Sequence, residues 1–265
     1  MSQIRTIASL TNPTVKHLRA LHMRKTRQES GEFLAEGLKI VTEALDQGVV
    51  PVCLLISPDT PDHPLLQRAI RETLAAGSDV IEVTREILEK VSKRDNPQTV
   101  IAVFRQRFTP LEAVDPNSHA TWVALEGVRD PGNLGTIIRT ADAAGLGGVF
   151  LIGETCDPFS VEAVRATMGS IFALPLIKCS REQFLAWRPR WPGAVIGTLL
   201  SASHNHRTAP YRAPNLILMG TEQSGLTPEL AAACDLNVKI PMLGRADSLN
   251  LSVATGIMIY AAAGL

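Results

Sequence analysis

Short apolar runs alternate along this chain with stretches whose apolar positions fall three and four apart, the signature of strands alternating with helices. Asn12-Pro13 supplies a capping side chain and a first-turn proline. Val15, Leu18, Leu21 and His22 then recur at helical spacing, which predicts a helix ending near Lys25. The pattern next predicts a strand over 33–35, a helix over 38–45, a strand over 52–56, a helix over 65–76, a strand over 80–83, a helix over 85–92 and a strand over 99–104. Pro110, Asp115-Pro116 and Asn117-Ser118 break the periodicity and place a linker over 106–119. Beyond it, strands are predicted over 122–125, 148–152, 174–177, 195–199, 216–219 and 237–240. Leu216-Ile217-Leu218-Met219 is apolar on both faces, as a strand of a buried parallel sheet must be. Two α/β domains follow, a smaller one over 1–105 and a parallel-sheet domain over 120–265. The last predicted helix, 249–262, is apolar nearly all round, so the sheet or a second subunit must bury it.

Composition narrows the class without naming it. The chain has 265 residues, 45% of them hydrophobic, and a formal net charge of zero, enough for two ordinary domains. No apolar run approaches about 18 residues, and Met1-Ser2-Gln3-Ile4-Arg5 lacks the apolar segment of a secretory signal. A cytoplasmic protein that does not enter membranes is expected. Cys53, Cys156, Cys179 and Cys234 lie far apart, suggesting neither a disulfide framework nor a metal site but small buried hydrophobes. His204 and His206 sit in a polar loop and read as solvated surface rather than metal ligands. The zero net charge conceals a basic start, with Arg5, Lys16, Arg19, Arg24, Lys25 and Arg27 against Glu29 alone over residues 1–30. Such a cluster attracts phosphates, or else is the solvated face of a helix.

Three segments at predicted strand ends carry the candidate chemistry. The first, Asp130-Pro131-Gly132-Asn133, turns tightly into a helix that Asn133 is placed to cap from Leu134 onward. Leu134, Ile137, Ile138 and Ala141 form its inward stripe, and Arg139 falls opposite, either aimed at a ligand or paired with Asp142. The second segment ends a buried strand in Gly220-Thr221-Glu222, and ligands of open α/β sheets bind at such carboxyl ends. Glu222 can hydrogen-bond a ribose, or serve the dipole of a helix near 228–233. In the third segment Ser248 and Asn250 flank Leu249, a pairing that suits a nucleoside pocket and equally a helix cap.

In this order, the three segments resemble the three motifs of the SpoU (TrmH) class of RNA ribose 2′-O-methyltransferases in the SPOUT superfamily. The likeness spans 121–265, with Asn133 and Arg139 in the first motif, Gly220 and Glu222 in the second, and Ser248 and Asn250 in the third. The N-terminal part, with Gly31-Glu32-Phe33-Leu34-Ala35-Glu36-Gly37, resembles the ribosomal-protein-like RNA-binding domain often fused in front. The resemblance implies a C-terminal sheet threaded as a trefoil knot, an otherwise rare topology, holding S-adenosyl-L-methionine and no metal. It implies that Thr198, Leu199, Gly220, Ile240 and Leu249 contact that cofactor and that the protein is a homodimer through the methyltransferase domain. It further implies that Asn133, Arg139, Glu222, Ser248 and Asn250 carry the reaction. The family's second motif commonly has Asn where this chain has Thr221, and Gln223-Ser224 also depart from it.

Methyl transfer from a sulfonium needs alignment of a ribose oxygen rather than a metal. An arginine stays protonated, so Arg139 is expected to hold a phosphate and stabilise the developing alkoxide. RNA is expected to be gripped by Lys16, Arg19, Arg24, Lys25 and Arg27. Ribosomal RNA is the expected substrate; the same reaction on transfer RNA and a non-catalytic RNA-binding protein are the alternatives. A dinucleotide-binding dehydrogenase is disfavoured, because Gly145-Leu146-Gly147-Gly148 follows a helix and precedes a strand, the reverse of the phosphate-binding order.

Overall fold

The computed structural model describes residues 4–265, so the opening Met1-Ser2-Gln3 lies outside it. The described chain falls into two compact units, residues up to 106 together with 157–173, and residues 107–156 together with 174–265.

The first unit runs β1 (Ile4–Ile7), α1 (Pro13–Ala20), α2 (Arg24–Ser30), β2 (Glu32–Glu36), α3 (Leu38–Asp46), β3 (Cys53–Ile56), α4 (Pro64–Ala75), β4 (Asp79–Val83), α5 (Arg85–Ser92) and β5 (Val100–Arg105). Its sheet has the order β1-β4-β3-β5-β2, with β5 antiparallel to both neighbours. The single helix expected from 13 to about 25 is two helices. Buried Arg27 supplies the reason: its guanidinium donates to the carbonyls of Leu21 (2.8 Å) and His22 (2.9 Å), where α1 has ended, and pairs with Asp157 at 2.6 Å. Periodicity in a window could not register a side chain that terminates an upstream helix. Arg27, 4% exposed, is therefore withdrawn from the expected RNA contacts.

The second unit runs β6 (Thr121–Glu126), α6 (Pro131–Ala143), β7 (Val149–Ile152), β8 (Leu176–Cys179), α8 (Arg181–Trp187), β9 (Val195–Thr198), β10 (His204–Asn205), β11 (Asn215–Met219), α9 (Pro228–Ala232), β12 (Leu236–Lys239) and α10 (Leu251–Ala263); α7 (Val161–Thr167), between β7 and β8 in sequence, belongs to the first unit. Its seven strands are all parallel, in the order β10-β12-β9-β11-β6-β7-β8. Central strands buried on both faces, such as Asn215–Met219, explain the continuous apolar runs of the sequence. Trp122, Phe150, Phe184, Trp187 and Trp191 form an aromatic layer in the main core. α10 packs on α6, β6 and β11, burying Leu251, Thr255, Met258, Ile259 and Ala262 and leaving Val253 and Tyr260 exposed.

The parallel-sheet domain expected over 120–265 therefore does not keep 157–173. Phe159 packs at a tilt against Phe33 with ring centroids 4.9 Å apart, Phe172 likewise against Phe104 at 4.6 Å, α7 packs on β2, and Arg165 reaches Glu36 at 2.9 Å. Aromatic burial outweighs chain proximity here. Phe33, 1% exposed, touches Phe104, Phe159 and Phe172. Phe33→Ala should cost about 3–5 kcal/mol of stability in denaturant unfolding; a loss under about 1 kcal/mol would mean that the ring cluster packs loosely.

Candidate functional site

The helix α6 starts three residues earlier than expected. Asp130 caps it, its carboxylate accepting the Asn133 backbone N–H at 2.6 Å, and Pro131 fills the first helical position. Asn133 is thus not the cap. Relieved of that duty, its side-chain amide donates from Nδ2 to Glu222 Oε1 (3.3 Å) and accepts at Oδ1 from Asn250 Nδ2 (2.9 Å). Asn250 performs both roles left open by the sequence. Its Oδ1 caps α10 through the amides of Ser252 (2.9 Å) and Val253 (3.4 Å), and its Nδ2 makes the bridge. One amide ties together three segments, reaching 89 residues along the chain to Glu222 and 117 to Asn250.

The helix expected near 228–233 is α9, Pro228–Ala232. That helix start is held by Glu126, the buried last residue of β6, which accepts from the Thr227 amide (2.8 Å) and hydroxyl (3.0 Å) and from Arg181 at 2.9 and 3.1 Å. Glu126 thereby fastens the far end of the loop that begins at Gly220. Sequence reasoning passed over it because a single acid ending an apolar strand has no periodic signal. Its only cue was its place at a carboxyl strand end, immediately before the turn into α6.

Beside this polar chain lies a cavity of about 270 Å³ at the carboxyl ends of β9, β11 and β12. Thr198, Leu199, Gly220, Ile240 and Leu249 line it, together with Glu222, Ser248 and, unforeseen from the sequence, Met219, Met242 and Leu251. The loop from β11 closes on itself where the chain departs from the usual motif. Thr221 and Gly225 exchange backbone hydrogen bonds at 3.0 and 3.1 Å, and the Thr221 hydroxyl accepts the Ser224 amide at 3.0 Å. Gly220 is required by close approach, since a Cβ there would run into the backbone of Gly225 and Leu226.

Arg139 lies on the exposed face of α6, outside the cavity wall, and among the described residues makes no ion pair, so the pairing with Asp142 is not formed. Lys16, Arg19, Arg24 and Lys25 are exposed, Lys25 lying 3.9 Å from Glu29. His206, expected to be solvated, is buried at 5% exposure, while His204 is exposed. Among the described residues no cluster of His, Cys, Asp and Glu could hold a metal ion. Burial pushes the Cys179 thiol up to about 11 and those of Cys53 and Cys234 up to about 12, so these three stay protonated near neutrality.

Comparison with known proteins gives this geometry relatives. Residues 120–260 match the SpoU rRNA Methylase family, and residues 12–102 match the MRM3-like substrate binding domain. The 23S rRNA (guanosine(2553)-2′-O)-methyltransferase of Bacillus subtilis is 31% identical over 254 residues, covering 96% of this chain and 97% of the relative. Among solved structures, an AdoMet-bound rRNA methyltransferase from Sinorhizobium meliloti superposes with a TM-score of 0.92 at 47% identity, covering 98% of both chains. The SpoU methyltransferase AviRb from Streptomyces viridochromogenes, in complex with the cofactor AdoMet, gives 0.82 at 28% identity, covering 96% of this chain and 97% of that one.

The Glu126 anchor can be tested by stability. Glu126→Ala strands the Thr227 amide and frees Arg181, which at 40% side-chain exposure can turn to water. The expected loss is therefore about 2 kcal/mol, short of the roughly 3–5 kcal/mol for breaking a fully buried pair. Chemical denaturation reads it, and an unchanged midpoint would remove Glu126 as an anchor.

Proposed function

The chain belongs to the SpoU rRNA methylase family, and we propose from that premise that it transfers a methyl group from S-adenosyl-L-methionine to a ribose 2′-hydroxyl of ribosomal RNA. The observation that carries the reading is the hydrogen-bonded Glu222–Asn133–Asn250 chain bordering the cavity at the strand ends. It joins polar, orienting groups to an apolar recess, the combination a nucleoside-bearing cofactor needs.

The residues present fit that cofactor. Thr198 places a buried hydroxyl oxygen with no hydrogen-bond partner in the cavity wall, where a ligand group can satisfy it. Leu199, Ile240, Met242 and Leu249 offer apolar contact to a base, and Gly220 lets backbone approach closely. When bound, the cofactor supplies a methyl carbon made electrophilic by its sulfonium. Glu222, Asn133 and Asn250 hold the substrate nucleotide and fix one another, and Ser248 adds a hydroxyl at the cavity rim. Arg139, permanently charged, holds a substrate phosphate and stabilises the ribose oxygen as its proton leaves to water. Among the described residues Arg139 has no ion-pair partner, which leaves the guanidinium available for that purpose.

Three further features complete the reading. The loops after β9, β11 and β12 all line the cavity, while α10, which follows β12, returns to pack on β6 and β11; this supports a chain threaded as a trefoil knot, and an experimental trace without threading over 199–251 would overturn it. The exposed Val253 and Tyr260 of α10 support a homodimer through this domain, which sedimentation would show as twice the chain mass. No helix among the described residues is long and apolar enough to cross a membrane, which is consistent with work in the cytoplasm.

The test pairs labelled donor with undermodified total RNA and maps the methylated ribose in a 23S-sized product. Arg139→Ala should lower turnover about 10²–10³-fold. Arg139→Lys, which keeps charge but loses the planar fork, should recover only part of it, with donor affinity by calorimetry unchanged for both. Near-native turnover by either variant would remove Arg139 from the reaction.

A further inference from the structure

In the first unit, α1 packs against α5 through Val15, Leu18, Ile87, Leu88 and Val91, and His22 Nε2 lies 2.6 Å from the Val91 carbonyl oxygen. The outer sides of the two helices enclose a solvent-open cleft of about 580 Å³. Lys16 and Arg19 line it from α1, and Lys90, Lys93 and Arg94 from α5 and the turn that ends it. Glu89 and Asp95 are its acidic lining residues, and Glu89 is engaged by Arg85 at 3.2 Å. Among the described residues none of the five cations forms an ion pair. Ala20 and the exposed Met23 give the cleft an apolar patch.

Cations near a helix C-terminus are favoured by its dipole, which accounts for Lys90 and Lys93 taken alone. It does not account for Lys16 and Arg19 being brought to the same cleft from another helix. Five cations around one concavity outnumber its carboxylates, Asp95 and the Glu89 already engaged by Arg85, so the excess positive charge is repulsive and an anion supplied from outside relieves it. We infer that this cleft is the surface that grips the RNA, with Lys90, Lys93 and Arg94 joining Lys16 and Arg19 on the phosphodiester backbone and Met23 packing on a base or ribose. The inference rests on the reading of the chain as an RNA methyltransferase, and it moves the grip from the N-terminal segment alone to a face built by two helices far apart in sequence.

The double variant Lys90→Gln, Lys93→Asn removes two charges with little strain. Gln is a good helix former, and Asn tolerates the left-handed backbone of Lys93, whose φ is 56°. The control, Lys39→Gln with Arg71→Gln, removes two exposed charges elsewhere on the same unit. Affinity for a ribosomal RNA transcript would be measured across a salt series, with donor affinity by calorimetry and thermal melting alongside. The cleft variant should bind RNA about tenfold or more weakly at low salt, and its slope of log K against log salt should shrink by about 1.4, two phosphate contacts at roughly 0.7 each. The control should match the parent, and donor affinity and melting should hold for all three. Equal losses in cleft variant and control, or an unchanged slope in the cleft variant, would overturn the proposal while leaving methyl transfer by the parent intact. A parent that neither binds nor methylates RNA would instead bring down the enzymatic reading, and this one with it.

Discussion

Parallel pairing of all seven strands in the second unit is the constraint from which the site follows. It sends every carboxyl strand end to one edge of the sheet, so the loops after β6, β9, β11 and β12 meet there although their sequences are widely separated. Strand order refines the effect. The chain runs outward through β6, β7 and β8 and then resumes on the other side of β11, so the loops after β6 and β11 leave neighbouring strands in different directions. Glu126 ends the strand before the first of these loops and Asn133 lies on the helix after it, while Gly220 and Glu222 come from the second.

Hydrogen bonds then convert that convergence into a defined arrangement. Asp130 takes the capping role, which releases the Asn133 amide to use both its donor and its acceptor. Asn250 divides its own amide between helix and bridge. Each of these bonds contributes only about 1 kcal/mol net, and their importance is directional rather than energetic. They fix a carboxylate against an apolar recess whose walls belong to other segments.

Much of this was legible from residue order. Runs such as 216–219 announce a sheet buried on both faces because such strands cannot alternate, and the motif glycine Gly220 announces a close approach that the backbone of Gly225 makes necessary. Thr198, Leu199, Gly220, Ile240 and Leu249 are found around one recess, the first four because they sit where parallel strands end and Leu249 because it leads into α10. What stayed hidden depends on tertiary partners. Whether Asp130 or Asn133 caps α6 is a choice between two good caps three residues apart, decided by what else each side chain can reach. Arg27 looked like its basic neighbours, but the Leu21 and His22 carbonyls and Asp157, 130 positions away, make it a core residue. Lys90, Lys93 and Arg94 sit in a segment whose charges nearly cancel, so only the packing of α1 on α5 sets them beside Lys16 and Arg19.

The interleaving of 157–173 with the first unit bears on how such a protein can be recombined. Two of the four phenyl rings in that unit's aromatic cluster, Phe159 and Phe172, are encoded after the first strands of the other unit. A chimera that exchanged only the leading hundred residues would inherit a foreign half-core and mismatched partners for Phe33 and Glu36. Modular swapping of the first unit therefore requires two coordinated crossovers, and inheritance of the pair as a block is the simplest evolutionary route.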